Sequence, residues 1–459
     1  MSTRDERSVF ELINAKINHP PKRIHFVGIG GVSMRGLAAA AALSGHRVSG
    51  SDRDARALEL EKLGISVSVG HTEGESAGAD LVVRTHAVSD GCPAIVGARA
   101  RGITVVSRAE YLGALMMGYN FRIGVSGSHG KSTVTAMLGE IYTSADKNPT
   151  VFAGANLRSG RPYILGGRDI LIAEACEYRN SFLSFLFDTA LILNIEFDHP
   201  DFFQSPESLE RSFFSFAEQT GKAIVNIDSP TCEKLFFGLK TRKISFSMLR
   251  DADYRYKITR GARGARAITV YRRSRRILRA NLSVFGDFNA TNAAAAAVAA
   301  FEGGLGGEEI KRGIEGFLGV SRRLELIGLL GGFAVYYDYA HHPTEIAAAI
   351  GAVREMTGGE VTVVFKPHTF TRTRALYSDF VSALRLADRA VICEIFGARE
   401  SAIEGVSGEA LAEDVGKGAV AVKDSEILSV LPHLASGSII LMGAGDFGDL
   451  PDKIIAGGN

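Results

Sequence analysis

Ile123-Gly-Val-Ser-Gly-Ser-His-Gly-Lys-Ser-Thr133 is the stretch on which the fold turns. Residues 122–125 form a short apolar run, read as a buried strand. A turn follows at Gly127, Ser128, His129 and Gly130, then Lys131, Ser132 and Thr133, then a helical pattern over residues 134–141. A strand, a glycine turn, Lys-Ser and a helix in that order cradle a nucleotide phosphate. Backbone N–H groups at the helix start point at the anion, and the helix dipole favours negative charge there. Lys131 is expected to reach the outer phosphates and the Ser132 hydroxyl to hold Mg²⁺. The strict P-loop spelling needs glycine at a position that is Val125 here, so the shorter Gly-Ser-His-Gly-Lys-Ser stands on its context.

Towards the N-terminus, residues 23–27 read as a strand that opens the loop Gly28-Ile-Gly-Gly-Val-Ser33. A helix over 34–43 and a strand over 48–51, ended by Asp52, complete a βαβ unit. Gly28, Gly30 and Gly31 with an acid after the second strand suggest dinucleotide binding, and taken alone they say NAD. Ser33 stands at the third glycine position, which leaves the fingerprint partial. Strand-like runs at 66–69, 81–83 and 103–106 fill out a parallel α/β domain that ends near Gly118.

Beyond the Lys131 loop, strands are expected at 170–173, 191–195 and 223–226. Glu174 follows the first; Glu196, Asp198 and His199 follow the second. Open α/β sheets bind ligands at the carboxyl ends of their strands, so Glu174 and His199 are predicted to share a rim with Ser132. Residues 254–284 are rich in arginine with alternating apolar positions, the pattern of hairpin strands with a solvated basic face. Base-stacking aromatics are sparse there, which argues against a nucleic-acid platform. Gly286-Asp-Phe-Asn-Ala-Thr-Asn292 leads into an Ala-rich helix over 293–301, with Asn289 and Asn292 read as caps or as ligand contacts.

Residues 319–326 read as a linker into a third α/β unit with strands at 335–339, 361–365, 390–394 and 439–442. The first strand is followed by Ala340-His-His-Pro-Thr-Glu345, with Pro343 near the first turn of a helix. Adjacent His341 and His342 point apart at a helix start, so they are not expected to share one ion. The last strand ends in the turn Met442-Gly-Ala-Gly-Asp446.

A chain of 459 residues should form about three domains. Its net charge of +1 supplies no bulk attraction for nucleic acid or a membrane surface. The four cysteines are far apart, which implies neither a metal cluster nor a disulfide framework and suits a reduced, cytoplasmic protein. Residues 1–20 suggest a short helix; their mixed, charged character is not that of a signal peptide. No window reaches the ~18 consecutive apolar residues of a membrane span.

In this order the stretches resemble the Mur ligases, ATP-dependent amide-forming enzymes of peptidoglycan precursor synthesis. The resemblance covers residues 23–447 and rests on Ile24-His-Phe-Val-Gly-Ile-Gly-Gly31, Gly50-Ser-Asp52, Gly127-Ser-His-Gly-Lys-Ser132, Asn194-Ile-Glu-Phe-Asp-His199, Gly319-Val-Ser-Arg-Arg-Leu-Glu325, Asp338-Tyr-Ala-His-His-Pro-Thr-Glu345, Pro367-His368 with Arg372-Thr-Arg374, and Met442-Gly-Ala-Gly-Asp446. The His-His-Pro-Thr-Glu stretch and the first glycine loop resemble the members that add L-alanine to UDP-N-acetylmuramate. A same-fold ligase that attaches a recycled tripeptide is the alternative.

The resemblance implies three α/β domains. A Rossmann-like one (1–118) would bind the UDP-sugar through Gly28, Gly30, Gly31 and Asp52. A P-loop-type ATPase (119–318) and a second Rossmann-like domain that admits the amino acid (319–459) would follow. ATP would phosphorylate the lactyl carboxylate, and the alanine amine would attack the acyl phosphate. The resemblance assigns ATP to Gly127 through Thr133, Asn289, Asn292 and Arg323, and Mg²⁺ to Ser132, Glu174 and His199. Lys131, His199, Arg323 and His342 would be catalytic, and His368 and Arg372 would place substrate. No nucleic acid or membrane partner is implied, and a monomer or weak homodimer is expected. Departures from the family pattern are Ser33 for glycine, Ser132 for threonine, Thr369 for arginine and Asp287-Phe288 for Arg-His. Cys176 within Glu174-Ala-Cys-Glu177 is another, and it leaves Glu177 as an alternative metal ligand.

Overall fold

Short apolar runs closed by glycine turns and followed by amphipathic segments build parallel sheets, and three such sheets form here. The computed structural model describes Ile13, Ile17 and residues 21–398, 400–416, 418–445 and 447–456. The helix expected over residues 1–20 lies outside the described residues except at Ile13 and Ile17, which are helical and buried. Asp446 also lies outside them.

The first sheet contains β1 (Arg23–Val27), β2 (Arg47–Asp52), β3 (Ser66–Val69), β4 (Leu81–Arg84) and β5 (Thr104–Ser107), ordered β3-β2-β1-β4-β5 and all parallel. The order reverses between β1 and β4, which opens a crevice beside the Gly28 loop.

The second sheet has ten strands: β6 (Phe121–Ser126), β7 (Thr150–Phe152), β8 (Tyr163–Ile164), β9 (Ile170–Glu174), β10 (Thr189–Ile192), β11 (Lys222–Asn226), β12 (Arg242–Ser247), β13 (Tyr254–Arg260), β14 (Arg266–Arg272) and β15 (Arg275–Leu282). Their order is β15-β14-β13-β12-β11-β10-β6-β9-β7-β8. Strand β6 lies between β9 and β10, parallel to both, so the Lys131 loop leaves the sheet at a switch point. The helix Lys131–Ser144 and the helix Asp287–Glu302 pack together on one face, where Ala293 to Ala300 are fully buried. Small side chains let that helix lie close.

The third sheet contains β16 (Glu325–Leu330), β17 (Phe333–Asp338), β18 (Val361–Phe365), β19 (Arg389–Ile392), β20 (Ala419–Ala421) and β21 (Ser438–Met442), ordered β16-β17-β21-β18-β19-β20. It is parallel except for the β16–β17 hairpin, and apolar residues cover both faces.

Four expectations change. The Ala-rich helix begins at Asp287, not residue 293, so Asn289 and Asn292 sit within its first turns and are not caps. Gly286, with φ +88°, makes the turn instead, and Asp287 suits the positive end of the dipole. The strand expected over 191–195 stops at Ile192 because the chain folds over the phosphate loop, where Ser128 N donates to Asn194 O at 3.1 Å. The expected linker 319–326 is already in β16 from Glu325. The arginine-rich hairpins form, but their basic face is not wholly solvated. Arg266 is buried between Asp287, at 2.5 Å, and Glu355 of the helix Pro343–Thr357, because the third unit docks on that edge.

Candidate active site

The carboxyl ends of the three sheets converge. A cavity of about 430 Å³ is lined from the first unit by Val32, from the second by Lys131, Ser132, Glu174 and His199, and from the third by His341 and other residues. A second, about 240 Å³, adjoins it between Gly130, Thr133, Asn292 and Ala349.

Gly127, at φ +143°, and Gly130, at φ +85°, carry the phosphate loop through backbone space that favours glycine. A Cβ on Gly130 would come 2.5 Å from Asn292 Oδ1. Loop side chains are tied to the segment after β10. Ser128 Oγ donates to Glu196 O at 2.8 Å, and His129 N donates to Asn194 Oδ1 at 2.8 Å. Thr133 is buried in the first helical turn.

Lys131 Nζ donates to Gly127 O at 2.5 Å and lies 3.0 Å from Glu177 Oε2. Burial alone would lower its pKa; the facing Glu177 carboxylate holds it above the usual lysine value. Burial would raise Glu177, and Lys131 with His199 keeps it below the usual carboxylate range. Ser132 Oγ donates to Glu174 Oε2 at 2.6 Å, and Gly154 N donates to the same oxygen at 2.9 Å. His199 Nε2 faces Glu177 Oε1 at 3.5 Å. Glu174 therefore sits beside Ser132, as β9 ending next to β6 predicts, while Glu177 is the acid beside both Lys131 and His199. Glu177, read from the sequence as an alternative metal ligand, stands at the N-cap of the short helix after β9, within reach of Lys131.

Asp198 was visible as a rim acid, but its partner was not. Arg372 Nε donates to Asp198 Oδ1 at 2.8 Å across the junction of the second and third units, with both side chains buried. Its Nη1 lies 3.1 Å from His368 Nδ1, and Nη2 lies 3.5 Å from His199 Nδ1. Burial and then Arg372 lower the His368 pKa to about 4, and burial lowers His341 to about 3. His341 and His342 do point apart. His341 Nδ1 meets Tyr339 O at 2.9 Å, whereas the His342 ring lies 4.7 Å from the His129 ring.

Arg323 Nη1 lies 3.4 Å from Glu345 Oε1 and lines both cavities. Asn292 lines the smaller cavity; Asn289 turns its amide to Phe285 O at 2.8 Å and borders a neighbouring groove. Asp338, also at the smaller cavity, is a site residue the sequence reading left unassigned. Burial raises its pKa to about 6, and it accepts from Leu324 N and Ala340 N. Thr369 adopts φ +67°, unusual for a β-branched residue.

Away from this cluster, Gly28, at φ +80°, and Ile29 donate to Ser51 O at 2.8 and 3.1 Å. Gly30 N donates to Asp52 Oδ2 at 2.7 Å. Gly31 precedes the helix Val32–Leu43, in which Ser33 is half-buried.

UDP-N-acetylmuramate–L-alanine ligase of Clostridium novyi is 36% identical over 437 residues, which is 93% of this chain and 95% of that protein. The chain belongs to the Mur ligase family. Residues 23–120 match the Mur ligase family catalytic domain, 125–300 the Mur ligase middle domain and 322–445 the Mur ligase glutamate ligase domain. The like-named protein of Caldicellulosiruptor saccharolyticus is 36% identical over 440 residues, 92% of this chain and 96% of its own. The structure of UDP-N-acetylmuramate-alanine ligase from Thermotoga maritima matches with TM-score 0.80 at 26% identity, covering 95% of this chain and 98% of that one. A murein peptide ligase from Psychrobacter arcticus shares the fold, with TM-score 0.73 at 23% identity over 95% and 99% of the two chains. Among the described residues no helix is long and apolar enough to cross a membrane.

Proposed function

We propose that this chain is an ATP-dependent ligase joining L-alanine to the lactyl carboxylate of UDP-N-acetylmuramate through an acyl phosphate. The observation that carries the reading is the shared cavity. The Lys131 loop and the His-His-Pro-Thr-Glu stretch, from different units, line one space that also reaches the first unit. Residues 1–118 hold the UDP-sugar, with the diphosphate on the backbone of Gly28, Gly30 and Gly31 and Asp52 behind them. Residues 119–318 bind ATP, and 319–459 close over it and admit alanine.

The triphosphate and the lactyl carboxylate repel one another, so the transfer needs cations placed in advance. Lys131, held against Gly127 O and Glu177, supplies a cation for the transferred phosphoryl group, and Arg323 lines the same cavity. The hydroxyl of Ser132 and the carboxylate of Glu174, with His199 and Glu177 beyond, form an oxygen-rich set that suits Mg²⁺. When bound there, the ion would offset the charge on the phosphate and carboxylate oxygens. Asn292 and the apolar wall of the smaller cavity accept the adenine, and Asn289 braces that helix turn. His342 caps the helix Pro343–Thr357 and packs on His129, fixing the loop against the third unit. Arg372 holds Asp198 and, with His368, shapes the end where alanine enters. The neutral imidazoles of His341 and His368 put no positive charge against the incoming ammonium. Enclosure of the cavity protects the acyl phosphate from water.

Phosphate release from ATP tests the reading. Release should require UDP-N-acetylmuramate and L-alanine together. Equal release with glycine, serine or no amino acid removes the alanine assignment, and faster release with a murein tripeptide reassigns the acceptor.

A further inference from the structure

His129 lies in the phosphate loop, yet its ring is turned towards the third unit. Nε2 faces Glu196 Oε2 at 3.3 Å, and Nδ1 faces Glu345 Oε1 at 3.2 Å. A carboxylate beside each nitrogen, with Nε2 hydrogen-bonded to Glu196 and Nδ1 paired to Glu345 by charge, favours the imidazolium. The two acids come from different units: Glu196 follows β10, and Glu345 lies in the first turn of the helix Pro343–Thr357. The same helix start also reaches Glu196 directly, because Thr344 Oγ1 donates to Glu196 Oε2 at 2.8 Å. Glu345 also takes Arg323 Nη1 at 3.4 Å and His341 N at 3.2 Å. Its carboxylate therefore joins the phosphate loop, the inter-unit segment and the helix that docks on them.

We infer that Glu345 is a positioning residue whose arrival with the third unit keeps His129 doubly protonated, adding a cation to the phosphate loop as the cleft closes on ATP. The inference rests on the proposed function, in that ATP is taken to occupy the Lys131 loop. His129, Glu196, His342 and Glu345 also show why no metal is assigned to the group. Ligand-type atoms of His129, Glu196 and His342 lie within 4.8 Å of one another, but an imidazolium has no lone pair to give.

The groups facing His129 set the sign of its response to pH. Burial of the site opposes the proton and Glu345 and Glu196 favour it; the His342 ring, 4.7 Å away, has its own pKa lowered by burial and then by His129 and so stays neutral. Burial alone would lower the His129 pKa, and the two carboxylates outweigh it, raising it to about 9. The folded-state value exceeds the ordinary one of 6.5, so the charge is present at neutral pH and is lost as pH rises through about 9. Without Glu345 the loss moves towards neutrality.

The test is calorimetric titration of the full-length protein with a non-hydrolysable ATP analogue and Mg²⁺ between pH 6 and 9.5. The native protein should hold its affinity up to about pH 8.5. Glu345→Gln should match it near pH 6 and fall about tenfold below it by pH 8.5, the loss of one positive charge beside the phosphates. Glu345→Asp should recover part of the high-pH affinity. His129→Gln should bind with the same affinity at every pH, whether or not Glu345 is also replaced, and this variant keeps the test open should Glu345→Gln fold poorly. Equal weakening of Glu345→Gln at all pH values, or a pH-dependent His129→Gln, would overturn the inference and leave the ligase reading standing. Absence of nucleotide binding by the native protein at any pH would remove both.

Discussion

The chain contains two glycine loops of the same local design, one after β1 and one after β6, and they are wired differently. At the first, Gly30 N donates to Asp52 Oδ2, and the approach is so close that a Cβ on Gly30 would lie 2.9 Å from that oxygen. Its hydrogen bonds to Ser51 of the next strand run from backbone to backbone, from Gly28 and Ile29. At the second, Ser128, His129, Lys131 and Ser132 each reach a group supplied by another strand end or by the third unit. A bare backbone turn reads a diphosphate whatever nucleoside it carries. A turn furnished with cations and acids can also stabilise charge that develops during transfer. That is why the first loop could not choose between NAD and a UDP-sugar, whereas the second pointed to ATP.

The largest expected break in this contrast is at Lys131. Lys131→Ala should lower turnover about a hundredfold or more, as expected for loss of a cation aimed at the transferred group. It should also destabilise the fold, since buried Glu177 loses its partner; breaking such a pair costs about 3–5 kcal/mol. Lys131→Ala with Glu177→Gln should regain the melting temperature and stay inactive. A single variant with native stability would show that the Lys131–Glu177 pair is weak. The two acids beside the second loop come next. Glu174→Gln should raise the Mg²⁺ concentration for half-maximal rate about tenfold, because Glu174 shares Ser132's position. Glu177→Gln should act mainly on kcat through Lys131. A Mg²⁺ titration in which the two variants exchange behaviour would reverse the pair.

At the first loop the effects should be smaller and confined to substrate affinity. Gly30→Ala should raise KM for the UDP-sugar about tenfold, or ~1.4 kcal/mol, and leave kcat near native. A fall in kcat of that size would mean that this loop also shapes the reacting geometry. The smallest change is Ser33→Gly, which should alter UDP-N-acetylmuramate affinity by less than about tenfold. The same calorimetry run with NAD should give no saturable binding; NAD binding with no response to the UDP-sugar would return the first loop to its dinucleotide reading.

Short-range physics made much of this protein legible from its residues. Glycine turns, apolar strands and helix starts lie close together in the chain, so they announced the β6–Lys131 turn, Pro343 at its helix start and the three α/β units. The same reasoning put Glu174 next to Ser132, because adjacent parallel strands end on one rim. Pairings between distant segments were not legible. Nothing in the spacing of Arg372 says that it will meet Asp198, 174 positions away, or that Glu345 will cap His129. Arg266 looked like one more solvated arginine until the docked helix covered it. Asn289 and Asn292 stood side by side as equals, and the early start of their helix turned only Asn292 into the cavity. Sequence determined which groups were available and on which strand ends they would stand. Tertiary structure decided which charge faces which, because burial makes an unpaired ion costly and strand order with inter-unit docking determines the partner that comes within reach.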